Sequence, residues 1–224
     1  MTRTVALSAV GKALAPEYLR AAAAGPCSPD ALLLVSGNQK SDETVDSVQG
    51  IRLARELGIT CPLWCVTDSL DPESRDRLWR KAEAGASTVV CQPPLRWNEW
   101  ESWLQRNEDV VSSFSGGIRI GVPVLAGTAE VELWRRLCLD PYGLPLTDEM
   151  KRITSAFQKQ DFQAVDNLLE ESMKLRMTLY KDVPCVSGFH LMPVTKLARE
   201  KLLQILETSP GILNIEPQTP NILP

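Results

Sequence analysis

The sequence predicts an α/β fold: a (β/α) barrel of the TIM type, incomplete, with about six βα units. Three observations point there. Short runs rich in β-branched and apolar residues alternate with longer stretches of helical period, the order expected of parallel βα units. Some short runs are apolar at consecutive positions, as in Leu32-Leu33-Leu34-Val35, which is how strands covered on both faces read. A chain of 224 residues, 44% hydrophobic and 23% charged, has the composition of a globular domain. That domain is assigned to residues 1–208. Residues 209–224, with four prolines, are read as an extended or disordered tail.

The expected strands are Thr4 to Ser8, Ala31 to Ser36, Pro62 to Thr67, Ser87 to Gln92, Ile118 to Val124 and Ser187 to Met192. Between the second and third, Val45, Val48, Ile51 and Leu57, with Leu53 and Ala54, give one apolar helix face, and Gly58 stops that helix where a left-handed cap would sit. Asp71-Pro72-Glu73 opens the next helix, with aspartate as N-cap and proline at the first helical position; Gly85 ends it. Trp97, Trp100, Trp103 and Leu104 follow at helical spacing, as an aromatic stripe packed inward rather than a base-stacking platform. A helix with Val131, Trp134, Leu137 and Cys138 comes next, then a turn at Pro141-Tyr142-Gly143-Leu144-Pro145. Two further helices, Asp148 to Gln158 and Asp161 to Tyr180, make an unusually long link to the last strand. The second carries Phe162, Val165, Leu169, Met173, Met177 and Tyr180 on one side.

Composition narrows the function classes. Lys and Arg number 24 against 28 Asp and Glu, a net charge of −4, so no overall basic field draws the chain to nucleic acid or anionic lipid. No window reaches the ~18 to 20 apolar residues of a membrane span, and the N-terminus lacks the apolar run of a secretory signal. A cytoplasmic protein is the expectation. The six cysteines (Cys27, Cys61, Cys65, Cys91, Cys138, Cys185) form no C-x-x-C pair. Cys61 and Cys65, four residues apart along an extended chain, would be separated by ~13 Å, beyond disulfide reach, so buried reduced thiols are expected. His190 is the single histidine, which excludes His-rich metal sites and H-E-x-x-H chemistry.

In parallel α/β sheets ligands bind at the carboxyl ends of the strands. Those ends here are Ser36-Gly37-Asn38-Gln39-Lys40, Thr67 to Asp71, Gln92-Pro93-Pro94, Pro123 to Gly127 and His190 to Pro193. The set is polar but poor in catalytic groups. No G-x-G-x-x-G or Walker motif accompanies it, and Lys40, beside Asp42 and Glu43, reads as solvated charge rather than a Schiff-base lysine.

Four segments resemble methylenetetrahydrofolate reductases: A-L-L-L-V-S-G-N (31–38), K-A-E-A-G-A-S-T-V-V-C-Q-P-P-L (81–95), Ile120 to Gly127, and G-F-H-L-M-P-V-T-K (188–196). The K-x-x-A-G-A-x-x-x-x-x-Q piece is the most specific. The similarity runs from about Arg3 to Glu207 in the family's order and includes the long helical link. It implies a (β/α)₈ barrel in which NAD(P)H reduces FAD and the flavin passes hydride to methylenetetrahydrofolate, an oxidoreductase of one-carbon and folate metabolism serving methionine biosynthesis. On that order Thr4 to Ser8 corresponds to the third barrel strand, and the family's glutamate general acid would fall outside the chain.

Carried over singly, Gln92 matches a glutamine that contacts folate or nicotinamide, and a carboxamide that both donates and accepts suits a pterin edge; the alternative is a polar strand terminus. Lys81 matches a lysine at the FAD ribose and phosphates, or else is a helix-surface lysine. Asn38 stands in place of an aspartate beside flavin and folate, keeping the shape without the charge. Asn38 and Gln92 are thus the expected catalytic pair, with Ser36, Gly37, Thr67, Asp71 and Lys81 as the cofactor set. Departures are numerous. Ser36 replaces an arginine, Thr67 and Asp71 fall near a tyrosine and a histidine, Ser74 and Arg77 replace an Asp and an Asn, and Val131 stands for a stacking phenylalanine. FAD is therefore expected to bind weakly or to be lost, each unpaired partner costing ~1 to 3 kcal/mol. The competing reading is a catalytically inactive barrel remnant serving as a binding or regulatory subunit, as a homo-oligomer or with a partner chain completing the barrel. A further alternative is an N-terminally truncated chain.

Overall fold

The structure is a computed structural model that describes residues 4–8, 15–24, 29–35 and 45–208. Asn38, Gly37 and Ser36, Lys40, Cys27 and the tail from Ser209 lie outside the described residues. The chain divides into two compact units. The first takes residues 1–91 and 104–118, the second 92–103 and 119–224.

In the first unit strands β1 (Thr4–Ser8), β2 (Ala31–Val35), β3 (Leu63–Thr67) and β4 (Thr88–Cys91) lie in chain order and pair in parallel, with Thr4 opposite Ala31, Leu32 opposite Leu63 and Trp64 opposite Thr88. Helices α1 (Ala15–Ala24), α2 (Ser47–Glu56) and α3 (Ser74–Glu83) make the crossovers. Leu32, Leu33, Leu34, Leu63, Val89 and Val90 are buried, as a sheet covered on both faces requires.

Local chemistry sets the helix ends. At the start of α2 the Gln49 N–H donates to Asp46 Oδ1 (2.8 Å) and the Asp46 N–H to Gln49 Oε1 (3.3 Å), a reciprocal capping box. Gly58 and Gly85 have φ of +74° and +100°, the left-handed turns expected after α2 and α3. Arg55 ties both exits together by donating to the carbonyls of Ile59 (2.8 Å) and Gly85 (2.9 Å). The expected start of α3 needs correction. Asp71 is not its N-cap: its carboxylate accepts the Glu73 N–H (3.0 Å) and its carbonyl the Ser74 N–H (3.1 Å), so Asp71 and Pro72 form a turn and the helix begins at Ser74.

Helix α4 (Trp97–Ser112) gives its first half to the second unit and the rest to the first. The second unit continues with β5 (Ile118–Pro123), α5 (Thr128–Cys138), a 3₁₀ turn at Asp140–Tyr142 closed by Gly143 (φ +64°), α6 (Asp148–Gln158), α7 (Phe162–Tyr180), β6 (Val186–Met192) and α8 (Lys196–Thr208). Strand β6 lies next to β5. Thr147 caps α6 by accepting the Met150 N–H (3.3 Å), and Asp161 caps α7 by accepting the Ala164 N–H (3.0 Å). Of the expected stripe Trp100, Trp103 and Leu104 are buried, whereas Trp97, in the first turn of α4, is only half-buried; Trp134 on α5 is buried as well. Of the expected α7 face Val165 and Tyr180 are buried and Leu169, Met173 and Met177 half-buried, while Phe162, in the first turn, departs from it at 57% exposure.

None of the described helices is long and apolar enough to cross a membrane. None of the five described cysteines is held in a disulfide among the described residues.

Candidate functional site

Three of the expected cofactor residues are described in the first unit, Thr67 and Asp71 at and after the end of β3 and Lys81 on α3, and the structure commits two of them internally. Lys81 is buried on α3, and its ammonium donates to the Val66 carbonyl, one residue before the end of β3 (2.6 Å). Burial is the main reason its pKa falls below the ordinary lysine value, opposed by nearby Cys65. Cys65 is itself pushed up to about 11 by burial, so it is an inert thiol rather than a nucleophile. Asp71 pairs with Arg77, and Thr67 is buried at the end of β3. With the ammonium facing a backbone carbonyl and the carboxylate neutralised by arginine, these described residues do not fit the phosphates and ribose of a flavin dinucleotide. No step through flavin follows from them.

The second unit is different. Gln92, half-buried, leads into Pro93 and Pro94, whose fixed φ and missing N–H groups prevent β4 from continuing. These prolines and Trp97 form one wall of a groove, with Gly121, Val122 and Pro123 at the carboxyl end of β5 also lining it. Met150 and Ile153 on α6, and Leu169 and Met173 on α7, complete an apolar surface. The groove encloses about 60 Å³, so a cofactor-sized ligand would lie along it and be engulfed only in part.

Two charged side chains enter this surface. The Arg176 guanidinium lies 4.1 Å from the centre of the Trp97 ring, and its Nη2 is 3.8 Å from Glu149 Oε2. Tyr180 secures the aromatic cluster: it stacks on Trp97 (centroids 6.0 Å apart), meets Trp100 edge-on (6.5 Å) and donates its hydroxyl to Glu101 Oε1 (3.0 Å). Burial and that carboxylate raise the Tyr180 pKa, keeping the phenol protonated. Elsewhere in the unit Glu130 is buried at the start of α5. Its Oε1 accepts the Thr195 hydroxyl (2.5 Å), while Oε2 has no hydrogen-bond partner among the described residues.

Sequence reasoning singled out neither Glu149 nor Arg176. A signal existed for the second: Leu169, Met173, Arg176 and Tyr180 follow at helical spacing, so a cation interrupts an apolar stripe. For Glu149 there was none, since an acid in the first turn of a helix is common on electrostatic grounds alone.

His190, on β6, is half-buried; burial first, and Arg119 second, lower its pKa from 6.5. The unfolded chain therefore binds the proton more readily than the folded one. Stability should fall as the pH drops from 6.5 toward the lower folded value. An NMR titration of this single imidazole should give a midpoint below 6.5, and a midpoint above it would contradict the burial argument. Among the described residues no group of three His, Cys, Asp or Glu side chains is placed to hold a metal ion.

No family model matches the chain, and no curated protein matches it. Among solved structures, one is an uncharacterized protein from Clostridium thermocellum that binds two copies of 5-methyl-5,6,7,8-tetrahydrofolic acid, at 12% identity and a TM-score of 0.51. The match covers 85% of this chain and 67% of that one. A second is 2,3-dimethylmalate lyase, a member of the PEP mutase/isocitrate lyase superfamily, at 16% identity over 79% of this chain and 69% of that one. Its TM-score is 0.39.

Proposed function

We propose that this protein binds a reduced folate at the strand ends of its second unit, as a binding module of methylenetetrahydrofolate-reductase type on an incomplete (β/α) barrel. The observation that carries the reading is the place of Gln92, at the head of the rigid Gln92-Pro93-Pro94 segment whose two prolines line the apolar groove. A carboxamide there offers a donor and an acceptor, the pair that a pterin ring or a nicotinamide amide needs. The folate-binding protein of Clostridium thermocellum, alike in fold, supports the choice of ligand class. Binding rather than flavin-mediated reduction is proposed because Lys81 and Asp71 are spent inside the first unit.

Gln92→Ala should weaken the binding of 5-methyltetrahydrofolate by about 1 to 3 kcal/mol, the loss when a bonded polar group is left unpaired. Calorimetric titration of the two proteins at equal thermal stability measures it. Equal affinities would remove Gln92 from the site.

A further inference from the structure

Glu149 on α6 and Arg176 on α7 bring two opposite charges to the lining of the apolar groove. Arg176 has a side chain 15% exposed, packed among prolines, methionines and Trp97, and its Nε is buried with no hydrogen-bond partner among the described residues. Stacking on Trp97 and a carboxylate 3.8 Å away still leave the Nε–H of this five-donor fork without an acceptor among the described residues. Keeping such a group against apolar walls is costly unless an acceptor arrives from outside. Glu149, 34% exposed, stands beside it in the first turn of α6 at a distance too long for a hydrogen bond, so both groups remain available to a ligand.

The charges cancel, and with them any net pull on an anion or a cation. What the pair selects is a neutral molecule carrying two N–H donors for the carboxylate and, next to them, a carbonyl for the guanidinium. The apolar walls call for a flat ring. A 2-amino-4-oxopyrimidine ring meets every term: its amino group and ring N–H point the same way toward a carboxylate, and its carbonyl is the adjacent acceptor. Pterins and guanine share this edge.

We infer that Glu149 and Arg176 read the 2-amino-4-oxo edge of a pterin, with Glu149 accepting the amino and ring N–H protons and Arg176 donating to the carbonyl. The choice of pterin over guanine rests on the folate reading. The small enclosed volume fits recognition of one edge, with the remainder of the ligand lying along the open groove.

The test titrates the full chain with 6-methyltetrahydropterin, which has no glutamate tail, with its N3-methylated analogue, with guanosine and with 5-methyltetrahydrofolate. Wild type should bind the pterin and reject the N3-methylated analogue, which has lost one donor; this arm needs no variant. Glu149→Gln, at a partly exposed position, should fold normally by circular dichroism and bind the pterin at least tenfold more weakly. If 5-methyltetrahydrofolate binds wild type but Glu149→Gln leaves pterin and folate affinity unchanged or tighter, the edge assignment falls and the folate reading stands. Guanosine binding more tightly than the pterin would overturn the pterin assignment. Binding of neither folate nor pterin to wild type would overturn both.

Discussion

Replacing Trp100 by alanine should cost about 3 to 5 kcal/mol of folding free energy, the range for removing a fully buried large aromatic. Trp100 has no exposed surface, stacks on Trp103 with ring centroids 5.3 Å apart, and is met edge-on by Tyr180. The indole also sits one turn of α4 from Trp97, on which Arg176 rests, so the variant should lose the groove along with the stability. Urea denaturation followed by circular dichroism measures the first effect and pterin titration the second. A loss below about 1 kcal/mol would mean that the cluster collapses around the gap, contrary to the packing described.

Lys81→Ala should destabilise the fold by about 2 to 4 kcal/mol while leaving FAD affinity where it was. Removing the side chain deletes three buried methylenes, ~0.8 kcal/mol each, and strips the Val66 carbonyl of its donor, worth ~1 to 3 kcal/mol. Relief from burying an ammonium offsets part of this. Lys81→Met, which keeps the stem and drops the charge, should therefore be milder than Lys81→Ala. The pH dependence has a definite sign. Because the folded pKa lies below the ordinary lysine value, the unfolded chain holds the proton in the interval between them, and wild-type stability should rise with pH there. Lys81→Met should lack that rise. A flavin titration in which Lys81→Ala lowers FAD affinity with stability unchanged would return Lys81 to the cofactor site.

Much of the fold was legible because its signals are local. Strand β1 matches its expected bounds, the other strands fall within a residue of theirs, and α6 matches at both ends, since apolar runs, caps such as Thr147 and glycines such as Gly58 act within a few residues. The error at α3 is local too: an aspartate followed by proline reads equally as an N-cap or as a turn, and here the Asp71 carboxylate reaches the Glu73 N–H first. The site was less legible, because its chemistry depends on contacts far apart in sequence. Whether Lys81 faces solvent or the Val66 carbonyl depends on how α3 lies on β3. Glu149 and Arg176 meet only because α6 and α7 pack together. Gln92 stands out in the sequence through its strand-end position and its motif, whereas Glu149 and Arg176 carry no motif at all.

Calorimetric titration of the wild-type chain with 5-methyltetrahydrofolate, and with FAD in parallel, tests the folate-binding reading most directly. A saturable isotherm for the folate that persists without added flavin and weakens in Gln92→Ala is the predicted result. Tight FAD binding with no folate binding in its absence would contradict it.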